Sequence, residues 1–123
     1  MEKVNLAEKF SRFRDCWQPK IVGELNDSYV KLARLSGEFI WHKHEAEDEL
    51  FLVMKGTLRM KVLEDGRERE IRIDPGEFLI VPRGVEHLPM ASEEVQVMLL
   101  EPKSTVNTGD LRNERTVEKL EWI

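Results

Sequence analysis

Between Lys20 and Glu101 the chain is cut by turn residues into short runs at near-regular spacing, and this punctuation restricts the fold more than any other feature. Asp65-Gly66 lies between Leu58/Met60/Val62 and Ile71/Ile73 and has the form of a two-residue hairpin turn, because both central positions need positive φ. Lys55-Gly56, Asp74-Pro75-Gly76 and Pro82-Arg83-Gly84 mark three further turns. The runs between them predict strands over Lys20–Leu25, Tyr29–Leu35, Phe39–His44, Glu49–Met54, Thr57–Leu63, Glu68–Ile73, Glu77–Val81, Glu86–Met90 and Val95–Glu101. Many short strands with such turns indicate an all-β sandwich or barrel. Leu6, Phe10 and Phe13 share one helical face, so a short N-terminal helix is expected over about 5–15, packed as a lid on the barrel. After Pro102 the chain is polar until Val117, Leu120, Trp122 and Ile123, which are expected to bring the tail, 103–123, back onto the body.

A length of 123 residues supports one core, so a single domain over 1–123 is expected, with its barrel at about 20–102. The net charge is −5 and no run of Lys or Arg forms a stripe, which argues against a nucleic-acid partner. No stretch approaches the ~20 apolar residues of a membrane span, and the first ten residues lack the apolar run of a signal peptide. With Cys16 as its one cysteine the chain can form no internal disulfide. A cytoplasmic protein without membrane contact is the expectation.

The chemistry concentrates on four side chains. His42 and His44 are two apart, the spacing that puts strand side chains on one face, and a turn at 45–48 can fold Glu49 back beside them. His87 is the third and last histidine and comes from far along the chain, as a closed sheet permits. Three imidazoles and one carboxylate form a borderline nitrogen and oxygen donor set suited to one divalent ion of Mn, Fe, Co, Ni, Cu or Zn. A closed structural zinc site would more often use thiolate, and four protein ligands leave two positions open on a six-coordinate ion. One carboxylate against a divalent ion leaves a net positive centre, which favours a small substrate that chelates through oxygen: a keto acid, an enediol or a hydroxy acid.

The stretch from Gly37 through His42, His44 and Glu49 to Gly56, and the stretch from Gly76 through Pro82 and Gly84 to His87, resemble the two signature motifs of the cupin superfamily. The resemblance covers about residues 37–91. It departs in having four residues between Gly37 and His42 where five are usual, and Ala91 where many members carry Asn. It implies a jelly-roll barrel (a double-stranded β-helix) that holds a divalent metal through His42, His44, Glu49 and His87. It also implies metal-dependent chemistry on a small molecule, such as that of a dioxygenase, isomerase or lyase. The alternative within the family is a non-catalytic module that binds a small metabolite; a storage-like role fits poorly with an intact ligand set.

Strand alternation places Ile40 on the face of His42 and His44, with Phe39 and Trp41 outward. It places Phe51 and Val53 on the face of Glu49, with Leu50, Leu52 and Met54 outward. The expected wall of the site is Ile40, Phe51, Val53, Leu58, Met60 and Val62. The apolar outward sets call for cover, and the family resemblance points to a homodimer; the alternative is cover by the N-terminal helix and Trp122. Arg34 and Tyr29 lie on opposite faces of their strand, so at most one can face the site. Arg83 and Glu86 are expected as solvated rim residues and Cys16 as inert. No general base can be named from the sequence.

Overall fold

The computed structural model describes residues 1–123. It contains one helix, α1 (Leu6–Phe10), and eight strands: β1 (Lys20–Leu25), β2 (Ser28–Glu38), β3 (Glu49–Lys55), β4 (Leu58–Glu64), β5 (Arg67–Ile73), β6 (Phe78–Val81), β7 (Glu86–Pro102) and β8 (Glu121–Trp122). The fold is the all-β jelly-roll barrel that the turn pattern and the motifs predict, with a short N-terminal helix.

The long strand β7 organises it. Its first half pairs with β4, from Leu63↔Glu86 to Arg59↔Met90, and its second half pairs with β3, from Lys55↔Gln96 to Leu50↔Leu100. Along its other side it pairs with β2. The sheet order is β5-β4-β7-β2-β1-β8, and β6 hangs on β3. Register shifts in β2 between Leu35 and Gly37, and in β3 between Val53 and Lys55, bend those strands and roll the sheet around its core. At the β4–β5 hairpin Asp65 and Gly66 both have positive φ, 51° and 74°, as the right-handed strand twist requires of a two-residue turn.

The interior is built in levels. Leu35 pairs with Val95; Ala33 and Val53 flank Val97; Lys31 and Phe51 flank Leu99. These residues, with Leu58, Met60, Val62, Ile73 and Val81 from the neighbouring strands, form one buried cluster apart from Lys31. A smaller cluster lies outside the sheet, where Phe10 and Phe13 pack on Val22 and Leu32, with Val30, Met98 and Ile123 at its edge. The N-terminal segment and the last residue therefore cover the outer face of β1, β2 and β7. Trp122, on β8, sits edge-on to Tyr29 at 5.6 Å and stays half exposed.

Three expectations need correction. Phe39–His44 is not a strand: its one ladder pairing with β7 is an isolated bridge between His42 and His87. Its backbone is satisfied piecemeal, as Phe39 N donates to Pro89 O and Gly84 N donates to His44 O. The two runs Glu86–Met90 and Val95–Glu101 are one continuous strand, because Ser92 to Glu94 keep extended geometry at the surface. The helix ends at Phe10 rather than Asp15. Asn5 caps its start by accepting from Glu8 N, but the Arg34 guanidinium takes the carbonyls of Phe10 and Phe13. A buried cation at those free carbonyls holds the chain in a turn that drives Phe13 onto the sheet. No helix is long and apolar enough to cross a membrane.

Candidate functional site

At the far end of the interior the levels change character. Glu49 begins β3, His87 lies near the start of β7, and His42 and His44 lie on the irregular stretch between β2 and β3. One donor atom from each of the four lies within 4.8 Å of the others, and all four residues are at most 5 % exposed. The predicted convergence of His42, His44, Glu49 and His87 is therefore present, but strand alternation is not its cause. His42 is placed by two backbone hydrogen bonds with His87, at 3.0 and 2.9 Å. His44 is placed by the bond from Gly84 N to its carbonyl, 2.7 Å, and Asp48 ties the same turn by accepting from Arg83 N.

The ring orientations follow from their outer nitrogens. His42 Nδ1 donates to Ile40 O and His87 Nδ1 donates to Val85 O, both at 2.9 Å. Each bond sets the tautomer and leaves Nε2 as the electron-pair donor. Two ring nitrogens crowd one oxygen: Glu49 Oε1 is 3.1 Å from His87 Nε2 and 2.8 Å from His44 Nε2. The His44 contact lacks hydrogen-bond alignment, and both of that ring's nitrogens are buried without an aligned partner. Electron-pair donors aimed at one another in a buried space need a cation between them, either a proton or a metal ion. The donor set and the unpartnered imidazole thus fit a divalent ion.

The electrostatics agree. Burial, helped by the neighbouring His87 ring, holds His42 neutral with its pKa down at about 4. Burial works against a charged His44 too, but the Glu49 carboxylate outweighs it and raises that ring above its ordinary value. Burial alone would raise Glu49; the adjoining Glu101 carboxyl and the His44 and His87 rings outweigh it and bring it well below the carboxylate range. Glu101 moves the other way, well above that range, through burial first and then the negative charge of Glu49.

A cavity of about 460 Å³, counting the part open to solvent, adjoins the cluster. His42, Glu49 and Glu101 form its polar end, and Trp17, Ala33, Leu35, Phe39, Phe51, Val97 and Leu99 are among its walls. The expected wall is mostly wrong. Phe51 lines the cavity, whereas Val53, Leu58, Met60 and Val62 belong to the closed core, and Ile40 does not reach it. Phe39, expected outward, faces in, stacked on Trp17 at 4.8 Å and edge-on to His42 at 5.4 Å. Alternation does not govern a stretch that is not a strand.

The tail crosses this end as well. Asp110 N donates to Lys43 O, between the two histidines, and Gly109 passes so close that a Cβ would meet that carbonyl at 2.1 Å. Asn107 lines the cavity while its amide holds Arg115 O and Val117 N. Neither Arg34 nor Tyr29 faces the cavity: Arg34 pairs with Glu94 at 2.7 Å on the outer face. Arg83 is exposed at the rim and Glu86 is half-buried there. Cys16 lies 3.6 Å from Glu94, and burial with that carboxylate raises its thiol, which disfavours the reactive form.

Sequence reading did not single out Glu101, Lys31, Trp17 or Asn107. Glu101 had a signal: it follows Val95, Val97 and Leu99 at every second position, so it shares their inward face. Lys31 likewise shares the parity of Ala33 and Leu35.

Among known proteins, the profile of the cupin domain matches residues 29–102. A solved cupin-2 domain containing protein from Shewanella frigidimarina is 43 % identical, with a TM-score of 0.76, over 81 % of this chain and 94 % of its own. The uncharacterized protein YdbB of Bacillus subtilis is 37 % identical over 54 % of this chain. An acireductone dioxygenase from Rhodopseudomonas palustris is 38 % identical over 38 % of it. The chain spans about half of YdbB, 56 %, and 28 % of the dioxygenase.

Proposed function

The chain belongs to the cupin family, and from that premise we propose that it is a divalent-metal-dependent enzyme acting on a small substrate that chelates through oxygen. Its ligands would be His42, His44, Glu49 and His87. Dioxygenase chemistry is the first reading and isomerase or lyase chemistry the next. The observation that carries it is the crowding of two imidazole nitrogens on one buried carboxylate oxygen with no aligned donor on His44. A relative named as a dioxygenase supports the choice of reaction class.

A bound ion would supply Lewis acidity toward an enolising substrate or, if redox-active, activation of dioxygen. The chain supplies the rest. Ile40 O and Val85 O lock two imidazoles in the donor tautomer, so little reorganisation is needed when the site is used. The Trp17, Phe39, Phe51 and Leu99 walls exclude bulk water and strengthen every charge at the polar end.

Further parts of the reading are a single domain over 1–123, a cytoplasmic location and a homodimer. The dimer would use the outer face of β3 and β6, where Phe78, Ile80 and Met54 stay exposed beside half-buried Leu50 and Leu52.

The test is oxygen uptake by untagged protein loaded with Fe(II), offered enediols, catechols and hydroxy acids. Uptake that needs the metal and disappears in His87→Ala is the expected result. A ligand that binds to the loaded protein and is never consumed, under any of the candidate metals, replaces the enzyme by a binding module.

A further inference from the structure

The cavity beside the cluster is smaller than the ligands proposed for it. About 50 Å³ of it has room for water-sized molecules, enough for a few waters. A benzene-sized ring occupies a cavity of about 150 Å³. One wall must therefore move before such a ligand enters. Of the 13 lining residues only Trp17, Pro19 and Asn107 are half-buried rather than buried, so the mouth lies between them.

The two sides of that mouth are held differently. Trp17 is pinned to β2, its backbone N donating to Arg34 O at 2.8 Å and its ring Nε1 to Ser36 O at 2.9 Å. Asn107 belongs to the segment 106–117, whose hydrogen bonds close on itself. Asn107 Nδ2 donates to Arg115 O and its Oδ1 accepts from Val117 N, both at 2.8 Å, which ties the two ends together. Gly109 N donates to Val106 O, Leu111 N to Thr108 O and Thr116 N to Asn113 O, and the Thr108 and Thr116 hydroxyls bond each other. Length and closure make this an Ω-loop, a body formed by its own contacts. The chain on either side is fixed to the barrel, as Lys103 N donates to Asp27 O and Ile123 N to Ile21 O. The loop itself is joined to the barrel by two hydrogen bonds, Asp110 N to Lys43 O and Arg115 Nη1 to Glu38 O, each 3.1 Å. The Arg115 guanidinium also covers the Phe39 ring at 5.4 Å.

We infer that residues 106–117 are a lid, hinged at its two ends, that lifts as one body to admit ligand between Trp17 and Asn107. Lifting breaks two hydrogen bonds and one cation–π contact and leaves the loop's own bonds intact, so the open form is a minor state within thermal reach. Both fastenings end on the irregular stretch that carries Phe39, His42 and His44, so closure also steadies the polar end. Gly109 lets the lid shut, because any Cβ there would collide with Lys43 O. The shut form leaves the Thr105 hydroxyl, beside the first hinge, buried without a partner, a cost that lifting relieves. The inference rests on the cavity being the ligand site, as the proposed function has it, and not on which reaction follows.

The experiment is residue-resolved amide exchange on the full chain, with two variants. Gly109→Ala wedges the lid against Lys43 O, and Arg115→Ala removes the other hydrogen bond and the guanidinium. In wild type the Asp110 amide should exchange at least about tenfold faster than the amides of the β2–β7 ladder, while Leu111 and Val117 stay slower than Asp110. In both variants Asp110 should exchange about tenfold faster again, with Leu111 and Val117 unchanged. The second readout is the association rate of 4-nitrocatechol, a coloured oxygen chelator, with zinc-loaded protein. That rate should rise about tenfold in the variants with zinc stoichiometry kept, since a lid open in about a tenth of molecules slows entry in proportion. Asp110 as protected as the ladder, or protection lost throughout 106–117 along with it, overturns the lid. An unchanged association rate in a variant whose Asp110 amide is freed overturns it too, as does loss of zinc by both variants. Should Gly109→Ala not fold, Arg115→Ala carries the same outcomes. Zinc-loaded wild type that never binds the probe refutes the chelating-substrate reading, and the exchange pattern still decides the lid.

Discussion

The two ends of the barrel interior are made by the same strands and differ in what those strands point inward. Along β3 the inward residues run Val53, Phe51, Glu49; along β7, Val95, Val97, Leu99, Glu101; along β2, Leu35, Ala33, Lys31. All three pass from apolar to ionisable toward the same end, where His42, His44 and His87 join them. At the apolar end burial is favourable by about 25 cal/mol per Å² and packing is the main constraint. At the polar end six ionisable groups are desolvated, and His44 and Glu101 retain atoms with no hydrogen-bond partner. The difference teaches that one end holds the fold together and the other is tolerated by it. Substitutions at the two ends should therefore have opposite signatures.

The largest effect is expected where the two ends are exchanged. Val97→Asp puts a charge among Ala33, Val53 and the core and should cost more than about 4 kcal/mol. Urea unfolding reads this, and a protein as stable as wild type would break the comparison. Lys31→Met alone removes one partner of a buried pair and should cost about 3 kcal/mol. The double variant Lys31→Met/Glu101→Leu should unfold within about 1 kcal/mol of wild type, or later. If the double variant is the less stable of the two, the polar end is a stabilising device after all.

Acid should act on the polar end of the metal-free protein. His42 is held at about 4, below its ordinary value, so the unfolded chain takes up that proton first. The stability is fully present above pH 6.5, and about 3 kcal/mol of it is lost as the pH falls toward 4. His44, raised by Glu49, contributes in the opposite sense: its share is present below pH 6.5 and disappears as the pH rises through its raised value. Unfolding midpoints of wild type and His42→Asn at pH 7 and pH 4.5 isolate the His42 share, and equal losses in both proteins would contradict it.

A modest change in stability accompanies a large change in function. His87→Leu replaces a crowded imidazole by an apolar group of similar size but leaves Val85 O without its donor, and should cost the metal-free protein about 1–3 kcal/mol. It should nevertheless take away metal uptake. A variant that unfolds outright would mean that His87 belongs with the apolar end.

The outline of the fold was legible because turn chemistry is local: Asp65-Gly66 forms the hairpin it predicts, and Lys20–Leu25 is β1 to the residue. The four-residue cluster was legible because its residue types are rare in this chain and their spacing is specific. The cavity wall was not, since the stretch from Phe39 to His44 takes its shape from distant backbone partners at His87, Gly84 and Asp110. The C-terminal crossing at Gly109 and Asn107 was hidden for the same reason: those contacts are tertiary, and no periodicity in the segment announces them. Glu101 and Lys31 stood in plain inward positions. They were missed because charged residues are assigned to solvent by default.

The central claim is that His42, His44, Glu49 and His87 at the polar end hold one metal ion. Elemental analysis of untagged protein, reconstituted with each candidate metal and desalted, tests it most directly, with His44→Ala alongside. The expected result is about one equivalent of a single divalent metal in wild type and none in the variant. No bound metal in wild type after every reconstitution, or equal metal in both proteins, would contradict it.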